Sequence, residues 1–129
     1  MTYQPENETV DDVSAAFDLL RDARRRGVLY ALKRNGRTSV EELARRIAAW
    51  QSEDRDEVNP ETVELSLIHS HLPKLREADA VEYDLESATV ELAGRGDELD
   101  PLLECTRERE PELFYAARTP NVRRPEVSQ

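Results

Sequence analysis

The sequence predicts a mainly α-helical fold closed by a small β-hairpin. Three observations predict it. Apolar residues recur at helical spacing in successive stretches between residues 12 and 78. Those stretches begin or end at residues suited to capping. After residue 79 the pattern changes to strict apolar–polar alternation in two short runs. Four helices followed at once by a hairpin is the order of a winged helix-turn-helix.

The elements follow in turn. Residues 1–11 are polar and acidic and read as a flexible leader. A first helix is expected from Asp12, capped by Asp11 or Asp12, with Val13, Ala16, Phe17 and Leu20 forming one apolar stripe. The second carries Val28, Leu29, Ala31 and Leu32 and stops at Asn35-Gly36, residues that tolerate a left-handed C-cap. Ser39 with Glu42 three residues later fits a capping box, in which the serine accepts a free backbone N–H and the glutamate reaches back. The third helix then buries Val40, Leu43, Ala44, Ile47 and Ala48 and runs to about Trp50, which is expected to pack under a charged loop at 51–58.

Asn59-Pro60 opens the fourth helix, with Asn as N-cap and Pro at the first helical position. Its expected inner stripe is Leu65, Ile68, Leu72 and Leu75. Pro73 removes a hydrogen bond and crowds the His69 carbonyl, so a kink is expected before the helix ends near Asp79. Val81 and Tyr83, then Val90 and Leu92, alternate with polar residues around a turn at 85–88. These elements make one domain over 12–93. A last helix over 97–110 carries Leu99, Leu102 and Leu103, and 116–129 reads as a flexible tail.

With 129 residues there is room for one core. No run of apolar residues is long enough to span a membrane, and the N-terminus has no signal-peptide pattern, so a cytoplasmic protein is expected. A single cysteine, Cys105, excludes an internal disulfide, and His69 and His71 lie on different helical faces, so no metal pair forms. No cofactor motif, phosphate loop or nucleophile–base spacing appears, and an enzyme is not expected.

Net charge is −10, and lysine occurs only as Lys33 and Lys74. An acidic, lysine-poor composition resembles that of halophilic archaeal proteins, where carboxylates hold water and hydrated cations in high salt. This changes what acidity implies about a nucleic-acid partner. A protein contacting about six phosphates loses about seven decades of affinity between about 0.15 M and about 3 M salt. Phosphate attraction contributes little there, so a DNA binder must rely on groove fit, neutral hydrogen bonds, water and bridging cations.

Two segments carry a family resemblance. Ser70-His71-Leu72-Pro73-Lys74-Leu75-Arg76-Glu77-Ala78-Asp79-Ala80-Val81-Glu82-Tyr83 is similar to the run joining recognition helix to wing in ArsR-like and MarR-like regulators. Arg24-Arg25-Arg26-Gly27-Val28-Leu29, Leu43 to Trp50, and Ser66 to Leu75 more closely resemble a family of haloarchaeal winged-helix domains of unassigned function. The resemblance spans roughly 13–92 and implies a winged helix and transcriptional regulation. Asp79-Ala80 stands where the wider pattern has Ala-Gly, so Asp79 must enter the left-handed region to make the turn.

The candidate DNA-binding residues are Thr62, Ser66, His69, Ser70 and Lys74, off the apolar stripe of helix four, with Arg24, Arg25 and Arg37 as candidate phosphate contacts. Ser, Thr and His can bond base edges without net charge. Glu61 and Glu64 oppose phosphate, and Arg24, Arg25 and Arg26 could pair with nearby acids instead. His71 lies near the leucine stripe and is expected to be a hydrogen-bonded, partly buried side chain. The wing tip, Glu86-Ser87, lacks the cation a minor-groove probe carries. Leu99, Leu102 and Leu103 are candidates for a homodimer contact, since symmetric dimers read two half-sites. The expected partner is double-stranded DNA; the competing reading is a protein-interaction module.

Overall fold

The computed structural model describes residues 5–52 and 57–110. In chain order these form α1 (Pro5–Leu20), α2 (Ala23–Asn35), β1 (Thr38–Ser39), α3 (Val40–Gln51), α4 (Pro60–Ser66), a π-helical turn (Leu67–His71), α5 (Leu72–Glu77), β2 (Val81–Asp84), β3 (Thr89–Leu92), a 3-10 segment (Gly94–Leu99) and α6 (Asp100–Arg109). The strands make one antiparallel sheet in the order β1-β3-β2, with Thr38 and Tyr83 both opposite Val90. Mainly helical, with a β2–β3 hairpin after the fourth helical stretch and β1, from between α2 and α3, completing a small three-stranded sheet, this is a winged-helix layout. No helix among the described residues is long and apolar enough to cross a membrane.

The caps explain most boundaries. Asp22 accepts the Arg24 N–H at 2.8 Å and starts α2. Gly36, at φ +78°, closes it by returning its N–H to the Leu32 carbonyl at 2.8 Å. Ser39 accepts the Glu42 N–H at 3.0 Å, the expected half of the capping box. The other half is replaced: the Glu42 carboxylate is taken by Arg45 and by Arg46, the latter at 2.8 Å. Asn59 accepts the Glu61 N–H at 2.7 Å before Pro60. Asp79 stands at φ +64°, as the missing glycine required, and the Ala80 N–H bonds the Leu75 carbonyl at 2.9 Å in a Schellman closure.

Four expectations need correction. The first helix begins at Pro5, not Asp12, so Asp11 and Asp12 lie inside it and only 1–4 of the expected leader fall outside the described residues. The expected tail at 116–129 and the centre of the 51–58 loop also lie outside them. The sheet has a third strand, since Thr38-Ser39 pairs along β3 immediately before Ser39 caps α3. Two residues are too few to show alternation, and cap chemistry dominates the local sequence.

Third, helix four holds a different stripe. Val63, Leu67, His71, Leu72 and Leu75 are buried, whereas Leu65 is 57% exposed. Val63, Leu67, His71 and Leu75 repeat every four residues, and in a regular α-helix that spacing drifts by about 40° per step. The π-helical turn, closed by the Leu72 N–H on the Leu67 carbonyl, winds less per residue and cancels much of the drift. The distortion expected from Pro73 is thus this widened turn just before it. Fourth, α1 buries Leu19 and Leu20 but leaves Val13 43% and Phe17 58% exposed, although both belong to the expected inner stripe.

The core is one cluster built on Val28, Leu29, Leu32, Leu43, Ile47, Val63, Leu67, Leu72 and Leu75, closed by Val81 and Val90 from the sheet, with Trp50 and Val58 packed at its edge. It also includes Leu99 and Leu103 from the C-terminal segment. A polar clamp holds α6 on α2. The Tyr30 hydroxyl lies 2.6 Å from Thr106 Oγ1 and donates to Glu110 at 3.1 Å. Arg26 makes a forked pair with Glu110 at 2.9 and 2.8 Å, and Lys33 meets Asp100 at 2.6 Å.

Candidate nucleic-acid interface

The candidate surface is the outer face of the helical stretch 60–77. Its inner face is committed to the core, so rotation about its axis is fixed and the exposed residues are set. Thr62, His69, Ser70 and Lys74 are exposed, and Ser66 is half-buried. Three of the five, Thr62, His69 and Ser70, are therefore hydrogen-bonding side chains in contact with solvent. Lys74 Nζ lies 3.5 Å from Asp18, an exposed pair that solvent and salt readily exchange. Leu65 sits among these polar residues as an exposed apolar group, and Glu61 and Glu64 bracket it with negative charge.

The arginines divide sharply. Arg24 lies beside the helix and donates to Ser66 Oγ at 2.9 Å and to Gln51 Oε1 at 3.0 Å. Ser66 in turn donates to the Val63 carbonyl at 2.9 Å. Arg24 and Ser66 are thus one unit, tying α2 and α3 to α4, and among the described residues the Arg24 side chain is held by these two neutral groups. Arg26 does pair with an acid, but across 84 residues with Glu110. That bond is the main reason its guanidinium is held more firmly protonated.

Arg25 must be removed from the candidate phosphate contacts. It is 6% exposed. It donates to the Leu19 carbonyl at 2.7 Å and the Asp18 carbonyl at 2.8 Å, and its Nη1 lies 3.2 Å from His71 Nδ1. The carbonyls belong to the last turn of α1, where backbone acceptors have no helical partner. Because an arginine can only donate, His71 must accept at Nδ1 and carry its proton on Nε2, which lies 3.8 Å from Asp22 Oδ1. Burial, with help from the Arg25 and Arg24 charges, pushes the His71 pKa below its usual value, while Asp22 opposes the shift. The histidine is a structural pivot: it stands in the π turn and links it to α2 and the end of α1.

Arg37 is exposed at the base of the hairpin, donating to Thr89 Oγ1 at 3.2 Å and lying 3.9 Å from Asp84. The tip is organised by Asp84, whose carboxylate accepts the Glu86 and Ser87 N–H groups at 3.0 and 3.4 Å. The bonds from Ser87 hold the Asp84 carboxyl below the usual carboxylate range. The tip side chains are Leu85, 67% exposed, with Glu86 and Ser87. Among the described residues, the cation paired with the hairpin is Arg37, at its root.

The proposed dimer stripe is also corrected. Leu99 and Leu103 are buried in this chain's own core, and only Leu102 is partly accessible. Two of the three leucines thus serve this chain's own core, and Leu102 alone is left to meet anything outside it. Among the described residues, no three His, Cys, Asp or Glu side chains gather as a metal site.

Sequence reasoning missed Gln51 and Leu65. Gln51 gave no signal, because its role comes from the end of α3 meeting Arg24. Leu65 could have been found from the four-residue repeat of Val63, Leu67, His71 and Leu75, which leaves it on the opposite side.

The fold and the exposed helix face define a small helical domain with a winged-helix layout. The chain belongs to the DUF7344 family, a domain of unknown function, whose model matches residues 17–91. That span runs from Phe17 near the end of α1 to Glu91 in β3, and so takes in α2 to α5 and nearly all of the hairpin but not α6. No curated protein matches the chain, and no solved structure does.

Proposed function

We propose that this chain is a DNA-binding transcriptional regulator of a halophilic archaeon, acting in the cytoplasm and reading double-stranded DNA with the outer face of helix 60–77. The observation that carries this reading is the exposed run Thr62, His69 and Ser70, with Lys74, on a helix whose inner face is locked in the core. Such a helix can enter a major groove with its side chains already oriented, and neutral groups on it bond base edges without depending on phosphate attraction. Arg24, bonded to Ser66, and Arg37, at the base of the hairpin, are the candidate backbone contacts. Arg24 would have to exchange its bonds to Ser66 and Gln51 for a phosphate.

A second reading is favoured by Glu61, Glu64 and the cation-free wing tip: the same face docks a partner protein, with Leu65 as its apolar anchor. One experiment separates the two. Genomic fragments are selected on the protein across about 0.5 to 3 M KCl, and the retained DNA is sequenced. Enrichment of a common sequence supports DNA reading. No selective retention at any salt, with a stoichiometric protein recovered from the native host, supports the second.

A further inference from the structure

Between α1 and α6 runs an open groove of about 420 Å³, with Phe17, Leu20, Leu102 and Cys105 as its apolar lining, Ser14 and Thr106 beside them, and Asp18 and Arg21 as its charged members. Val13, one turn before Phe17 on α1, is a further exposed apolar residue. Single exposed apolar residues are ordinary, but a contiguous apolar surface of this kind marks a docking site. We propose that the groove is covered by this chain's own Leu113-Phe114-Tyr115 segment.

The placement of Glu110 argues for that occupant. Its carboxylate is gripped by Arg26 at 2.9 and 2.8 Å and by Tyr30 at 3.1 Å. Arg26 also donates to the Leu20 carbonyl, and Tyr30 bonds Thr106, so the anchor touches both walls of the groove at one end. The chain therefore leaves α6 at the mouth of the groove. Pro111 prevents continuation of the helix at that point. Leu113 to Tyr115 lie three to five residues on, a reach of at most about 10 to 17 Å. They are the most apolar run after residue 110. A tether this short gives an effective concentration on the order of millimolar, so the segment outcompetes a second copy of the chain at micromolar protein.

Cys105 reports on the groove, since it lines it and is the chain's single cysteine. The rate at which a small aromatic disulfide reagent modifies Cys105 is measured for the full chain, for its Phe114→Ser/Tyr115→Ser variant, and for the urea-unfolded chain. Circular dichroism checks that the variant keeps its helices. The expected result is a native rate at least tenfold below that of the variant, and equal from about 1 to 100 µM protein. Protection that grows with protein concentration assigns the groove to a second copy and overturns the proposal. So does a native rate equal to that of the variant. If the variant fails to fold, the wild-type rate alone decides. A concentration-independent rate well below that of the unfolded chain supports the docked segment, and a rate matching the unfolded chain refutes it.

Discussion

Replacing Arg25 by alanine should destabilise the fold by about 3 kcal/mol, and the reasoning is specific to its surroundings. The guanidinium satisfies two carbonyls in the last turn of α1 and the Nδ1 of His71, all from a buried position. Hydrogen bonds from a charged donor contribute about 1.5 to 3 kcal/mol each, and an orphaned buried acceptor costs about 1 to 3 kcal/mol. Asp18 is half-exposed, so its carbonyl regains water and the three effects do not sum in full. About 3 kcal/mol remains, mostly from Leu19 and His71. With a urea dependence of about 2 kcal/mol per molar, the unfolding midpoint falls by about 1.5 M. The assay is urea denaturation followed by circular dichroism in molar KCl. Arg25→Met preserves most of the volume and separates bonding from packing. Arg24→Ala, whose partners Ser66 and Gln51 can rehydrate, should cost under about 1 kcal/mol. If Arg25→Ala shifts the midpoint no more than Arg24→Ala, the buried-anchor role assigned to Arg25 is wrong.

Other outcomes follow from the same contacts. Leu103→Ala should cost about 2 to 5 kcal/mol by thermal or urea unfolding of the monomer, because the side chain is buried in the core; a change under about 1 kcal/mol would return α6 to the periphery. Ser39→Ala removes the α3 cap and should cost about 1 kcal/mol in the same measurement. The pH profile should carry a His71 component. Its folded pKa lies below that of the unfolded chain, so the unfolded chain binds the proton first. Stability is therefore full above about pH 6.5 and falls as pH drops through the window beneath it. His71→Gln should flatten that fall, and an unchanged profile would assign the dependence to another group.

Much of the fold was legible because local signals agreed with tertiary ones. The Asn35-Gly36 stop, the Ser39 and Asn59 caps, the hairpin alternation and the left-handed Asp79 each arise from a few adjacent residues. What could not be read was set by distant contact. Arg24, Arg25 and Arg26 look alike in sequence, yet one braces α4, one is buried under α1 and one clamps α6. Leu99 and Leu103 give the same pattern whether they meet their own core or a second chain. The misassigned stripe of helix four has a subtler cause. A regular helix turns 100° per residue, whereas this segment repeats every four, and the π turn that accommodates the repeat changes which leucine faces outward. Thr62, His69, Ser70 and Lys74 are exposed all the same, because they lie off the apolar stripe on either phase.

The most direct test of DNA reading compares wild-type protein with a Thr62→Ala/His69→Ala/Ser70→Ala variant on the fragment best retained in about 2 M KCl. The substituted positions are exposed, so unfolding curves should coincide within about 0.5 kcal/mol. The account predicts that the variant loses at least tenfold in affinity and most of its sequence preference, with little change in salt slope, because the lost contacts are uncharged. Equal, sequence-selective binding by both proteins would contradict it and move the reading surface off helix 60–77.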